Sequence, residues 1–171
     1  PVCLPKTAWP PTSLVILTLG ALAVSADFRK AVYTMIQKFL PIEMQLTYQV
    51  DGEPLEQLPN GYSDHYVPDG FERDYEQGYD DAQAFLHVYT DIMTNDFYTV
   101  SCAIVQNQNQ KELFDNEHTK YRKVKMGDVE ALLGEDKNTG YYLVWEDEGI
   151  THTIIGRISI RELMLVAQKI Y

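Results

Sequence analysis

The sequence predicts an α+β fold, a curved antiparallel sheet with a C-terminal helix packed on one face, preceded by an N-terminal apolar and amphipathic helix. Three observations carry this. Strand-like runs follow one another from Met44 to Ile158 with turn residues between them, instead of alternating with helical patterns. The chain then ends on a helix with its own start signal, Ser159-Ile160-Arg161-Glu162. Ahead of the strands, an uncharged run at Thr12–Ala26 and a 3.6-residue spacing over residues 27–40 read as helix. The predicted division is residues 1–41, an apolar anchor with a linker helix, and residues 42–171, an acidic domain.

The charge supports that division. Residues 1–42 carry four basic groups (Lys6, Arg29, Lys30, Lys38) and one acid, Asp27, whereas the rest carries 10 basic and 24 acidic residues. A domain this acidic repels phosphate backbones and anionic headgroups, which argues against nucleic acid as a ligand. Cys3 and Cys102 are the only cysteines. They form neither a disulfide framework nor a zinc-type spacing.

The run from Thr12 to Ala26 is shorter than the roughly 20 residues of a spanning helix. It admits three readings: a short membrane helix, the apolar core of a signal peptide with Val24 and Ala26 before the cut, or a buried helix. The membrane helix is preferred, so residues 12–26 are expected to contact the membrane. Arg29, Lys30 and Lys38 follow the run and only Lys6 precedes it; by the positive-inside rule alone, the acidic part would lie in the cytoplasm. Over residues 27–40, Phe28, Val32, Met35, Ile36, Phe39 and Leu40 recur at helical spacing until Pro41 ends the pattern.

The period then changes to two. Met44, Leu46, Tyr48 and Val50 alternate with Gln45, Thr47 and Gln49, a half-buried strand that Asp51-Gly52 ends. Residues 53–70 are rich in turn residues and read as loop. Phe71–Gln77, Gln83–Thr90 and Phe97–Gln106 are strand-like, with β-branched and aromatic residues dominating. Gln106–Gln110 reads as an exposed hairpin loop. Lys120–Lys125 and Val129–Leu133 flank the break at Gly127-Asp128. Tyr141–Trp145 and Ile150–Ile158, joined through Asp147-Glu148-Gly149, make the clearest hairpin. In the final helix, Ile160, Leu163, Met164, Ala167 and Ile170 form one apolar stripe.

No catalytic constellation emerges. His65, His87, His118 and His152 lack metal-ligand spacing, no serine sits in a nucleophile elbow, and Cys102 has no local base. The acidic clusters Asp69/Glu72/Asp74/Glu76, Asp80-Asp81 and Glu146-Asp147-Glu148 lack calcium-loop spacing and read as solvated loop charge. The expectation is a non-enzymatic domain with no catalytic residue, metal or cofactor. Twelve tyrosines allow either cross-strand packing or an aromatic groove, and Tyr89, Tyr98 and Trp145 are the candidate ligand-binding residues.

Tyr66-Val67-Pro68-Asp69-Gly70-Phe71, Val124–Ala131, Val144–Ile150, Ile155–Ser159, Glu162-Leu163 and Ala167 together form a pattern over roughly residues 62–171. It resembles the DUF4367 family, an uncharacterised domain of Gram-positive bacteria. The resemblance implies a domain outside the cell behind a single membrane helix, in proteins encoded beside sigma factors, some of them similar to anti-sigma factors. It carries over no catalytic residue; Trp145, Gly149, Gly156 and Glu162 match as structural positions. The function it implies is extracytoplasmic sensing or regulation by a protein of the cell membrane, with a sigma factor as partner through a region outside this sequence. The alternative is an envelope lipid- or glycan-binding carrier, whose sheet would hold an apolar or aromatic pocket.

Overall fold

Ten strands and one helix make up the described part of the computed structural model, which covers residues 32–39, 43–51, 53–106, 110–115 and 117–171. The strands are β1 (Val32–Phe39), β2 (Glu43–Asp51), β3 (Phe71–Asp80), β4 (Ala84–Asp91) and β5 (Phe97–Ile104). They continue as β6 (Gln110–Asp115), β7 (Thr119–Met126), β8 (Val129–Asp136), β9 (Gly140–Asp147) and β10 (Ile150–Gly156). The helix α1 spans Ile160–Ala167. The fold is thus mostly antiparallel sheet with one C-terminal helix. Thr12–Ala26 lies outside the described residues, and among those described no helix is long and apolar enough to cross a membrane.

Two sheets form. One has the order β1-β2-β6, the other β3-β4-β5-β10-β9-β8-β7, and the paired neighbours run antiparallel. The seven-stranded sheet is covered on both faces near its centre. On one face Leu163, Val166 and Ala167 of α1 join Val100, Cys102, Leu143, Trp145 and Ile154 in the main core. On the other face Met44, Leu46 and Tyr48 of β2 pack with Val105, Leu132 and Val144. Double coverage explains why Ala131–Leu133 and Leu143–Trp145 are continuous apolar runs while β2 and β5 alternate.

Two expectations need correction. The 27–40 helix is replaced, over Val32–Phe39, by a strand that pairs with β2 from Val32↔Asp51 to Phe39↔Met44. Val32, Tyr33, Thr34, Ile36 and Phe39 are β-branched or aromatic and weak helix formers, so pairing with β2, which follows directly in the chain, wins over the apolar spacing. Residues 27–31 and 40–42, with the expected stop at Pro41, lie outside the described residues. The strands flanking Gln106–Gln110 do not form the expected hairpin: β5 pairs with β4 and β10, and β6 pairs with β2 in the other sheet, while residues 107–109 lie outside the described residues. Val105 at the crossing is buried, and its N–H donates to Gly149 O at 2.9 Å.

The expected start of α1 is observed: Ser159 Oγ accepts from the Glu162 N–H at 3.1 Å. The Glu162 carboxylate accepts from Tyr66 Oη at 2.7 Å, which ties the helix to the 53–70 segment. That segment lies over the α1 side of the core through Leu58, Tyr62 and Tyr66. Leu58 N–H donates to Ala82 O at 2.8 Å, and Asp64 forms a short antiparallel bridge with Ile170.

Candidate functional site

Where the 53–70 segment meets the C-terminal end of α1, a cleft of about 390 Å³ opens. Tyr62 forms one wall, Trp145 and His152 the floor from β9 and β10, Met126 and Val129 the far rim, and Ile170 the C-terminal side. Antiparallel pairing places His152 directly across from Trp145, and their rings stack with centroids 4.5 Å apart and planes within 3°. Cys102 is the partner of His152 on the other side.

The polar centre of the cleft is Tyr62 Oη against His152 Nε2 at 2.5 Å. Burial pushes the His152 pKa down to about 4; the backbone of Trp145 and Ile150 opposes this from outside hydrogen-bond geometry. Burial also pushes the Tyr62 phenol up. Both groups are therefore neutral near pH 7. Whichever tautomer His152 adopts, its Nδ1 is buried without a hydrogen-bond partner. Burial raises the Cys102 thiol as well, so it carries no thiolate to pair with the imidazole.

A second polar cluster lies beside the cleft, on the same 53–70 segment. The Asp64 carboxylate, with its side chain 1% exposed, accepts from Tyr89 Oη at 2.5 Å and meets His87 Nδ1 at 2.5 Å. His87 Nε2 meets Asp80 Oδ1 at 2.6 Å, and Arg73 donates to the other Asp80 oxygen at 2.7 Å. Burial opposes the charge on each group. For His87, the hydrogen bonds to Asp64 and Asp80 outweigh it and leave the pKa above the ordinary value. For Asp64, the bonds from His87 and Tyr89 outweigh it and leave the carboxyl below the usual range; for Asp80, those from His87 and Arg73 do the same. The arrangement favours an imidazolium clamped between two carboxylates. Because these approach opposite ring nitrogens, the trio cannot converge on one metal ion, and no metal-holding group of three or more His, Cys, Asp or Glu is found among the described residues.

Of the three residues singled out from sequence, Trp145 lines the cleft. Tyr89 and Tyr98 are cross-strand partners stacked at 4.6 Å, 2% and 0% exposed, and lie outside the lining. Their hydroxyls differ: Tyr89 binds Asp64, while Tyr98 Oη is buried without a partner. Tyr62, Asp64, His87 and His152 were not singled out as site residues, and no short motif marks them. Tyr62 and His152 are 90 positions apart, and only the fold brings them together.

An antiparallel β-rich domain, closed by one helix and carrying a ligand-sized aromatic cleft, is the class that fold and site define. The family described as a domain of unknown function, DUF4367, matches residues 61–170, and the chain belongs to it. No curated protein and no solved structure matches the chain.

Proposed function

We propose that residues 42–171 form a non-enzymatic extracytoplasmic sensing domain of a membrane-anchored protein, with its ligand in the Tyr62–Trp145–His152 cleft. The observation that carries this is the cleft itself: aromatic and apolar walls, with Asp147 and Gln168 as polar members of the lining, around a buried, incompletely paired imidazole. Concave, mostly apolar sites with a few oriented polar groups are where small ligands bind. The sensing reading is preferred over an enzyme because the His152 imidazole and the Tyr62 phenol at the polar centre are both neutral and the Cys102 thiol beside them is protonated, which leaves Asp147 as the carboxylate of the lining. It is preferred over a lipid carrier because the space between sheet and helix is filled: Val100, Leu143, Ile154, Leu163 and Val166 are all 0% exposed. A signal read here would reach an anti-sigma function through the anchor and a region outside these residues.

The test uses Trp145 as reporter. The full-length protein with Trp9→Phe, held in detergent, is titrated with soluble muropeptides. A saturable change in tryptophan emission, lost with Tyr62→Ala while the fold persists, is the expected result. Unchanged emission with muropeptides and with a soluble fatty acid would sink the cleft as a ligand site.

A further inference from the structure

The segment that carries Tyr62 over the cleft also carries Asp64, and Asp64 reaches into the sheet to His87. We propose that Asp64, His87 and Asp80 form a proton-operated latch that holds the Tyr62–Tyr66 segment against the sheet and releases it as pH rises. The proposal rests on the cleft reading, since Tyr62 is the wall that would move.

The geometry makes the proton necessary. An imidazolium has two N–H groups, and here each has a carboxylate within 2.6 Å. A neutral imidazole has one N–H, so one carboxylate must then face a lone pair. Asp80 can tolerate this: its side chain is 62% exposed and Arg73 holds its other oxygen. Asp64 is 1% exposed and would keep only uncharged donors, the Tyr89 hydroxyl, the Ser63 hydroxyl at 3.3 Å and the neutral imidazole. A buried carboxylate without a cationic partner is strongly disfavoured, whereas the undocked segment would return it to water. The docked state thus holds the His87 proton more tightly than the undocked state, and by linkage undocking becomes easier as the proton leaves.

Among the groups facing the cluster Arg73 is the cation, and it is engaged with Asp80. The groups facing the cluster are Asp80 and Arg73 from β3, Tyr89 from β4, and Tyr98 and Cys102 from β5, the last three kept neutral by burial. Val100 is the residue opposite His87 on β5, and the C-terminal segment brings the uncharged Ile170 beside Asp64. Release would also loosen the chain end, because Ser63 and Tyr171 exchange backbone hydrogen bonds at 3.1 and 3.2 Å and His65 N–H donates to Lys169 O at 2.8 Å.

Hydrogen exchange on the full-length protein between pH 6 and 9 tests the latch. Protection of the Leu58, Ser63 and His65 amides is corrected for intrinsic exchange and divided by that of β9 and β10 amides. The ratio is expected to fall by up to about tenfold per pH unit above about pH 6.5 and to level off as docked His87 gives up its proton, with the same midpoint as the His87 ring ¹⁵N shifts. In His87→Gln the ratio should be independent of pH. A flat ratio in the wild type, a midpoint that does not follow His87, or the same slope in His87→Gln overturns the proposal; if that variant does not fold, the two wild-type midpoints decide. No ligand enters the experiment, so the latch can fail while the muropeptide titration succeeds, and the reverse.

Discussion

A histidine that gives up its charge on folding makes a protein weaker in acid, and His152 is such a residue. It is 2% exposed, stacked on Trp145, with its pKa held near 4. A pKa depressed from about 6.5 means that the unfolded chain binds the proton more readily. The stabilisation is complete above about pH 6.5 and is lost as pH falls toward 4, by about 3 kcal/mol across that window. Urea unfolding from pH 7 to 4 should show this slope, and His152→Phe, which keeps a ring against Trp145 and cannot titrate, should flatten it. An unchanged slope would place the acid sensitivity elsewhere. His87 acts in the opposite sense: its raised pKa gives stability that is present below about pH 6.5 and lost as pH rises through the folded value. None of this is legible from the sequence. Both histidines fall within strand-like runs and Asp64 within the turn-rich 53–70 stretch, and nothing local marks them because their partners lie far away in the chain. Trp145, which the sequence offered both as a strand-core residue and as a ligand-binding candidate, lies in the main core with its ring at the cleft.

At the scale of elements, the bulge in β3 positions the latch. The β3–β4 register breaks between Asp74 and Gly78, expelling Tyr75, which is 83% exposed, and bringing Asp80 opposite Phe85 beside His87. Gly78 has φ +97°, and a Cβ there would lie 2.1 Å from the Leu86 carbonyl oxygen. Gly78→Ala should therefore cost roughly 2 kcal/mol or more, measured as a urea midpoint shift at constant m. A loss below roughly 0.5 kcal/mol, typical of a neutral surface change, would mean that the bulge is not constrained by its backbone. The elements that were legible have strong local signals: the period of two in β2, the β-branched and aromatic runs of β4 and β5, the Asp147–Gly149 reversal between β9 and β10, and the Ser159 cap. Those that were misread depend on partners. Val32–Phe39 satisfies a helical spacing and a strand composition at once, and its pairing with β2 decides between them. The bulge left no trace in the period, and the change of sheet after β5 looks like a polar turn because turns and crossings use the same residues.

At the scale of the whole molecule, the two-sheet packing gives the chain one face on which loop, helix end and C-terminus converge, and that face holds the cleft and the latch. The antiparallel sheet with its closing helix was legible because strands run consecutively and a capped helix follows. The second sheet was not, since continuous apolar runs in β8 and β9 say that both faces are covered without saying by what. The extracytoplasmic placement of this domain is the central claim, and the positive charges after Thr12–Ala26 point the other way, so a direct measurement decides it. The full-length protein with Cys3→Ser and Met93→Cys is expressed in its cell and treated with a membrane-impermeant maleimide. Met93, in the β4–β5 turn, is 92% exposed, and the buried Cys102 stays silent. Labelling in intact cells is the result the account predicts. Labelling only after lysis would place the domain in the cytoplasm and contradict it.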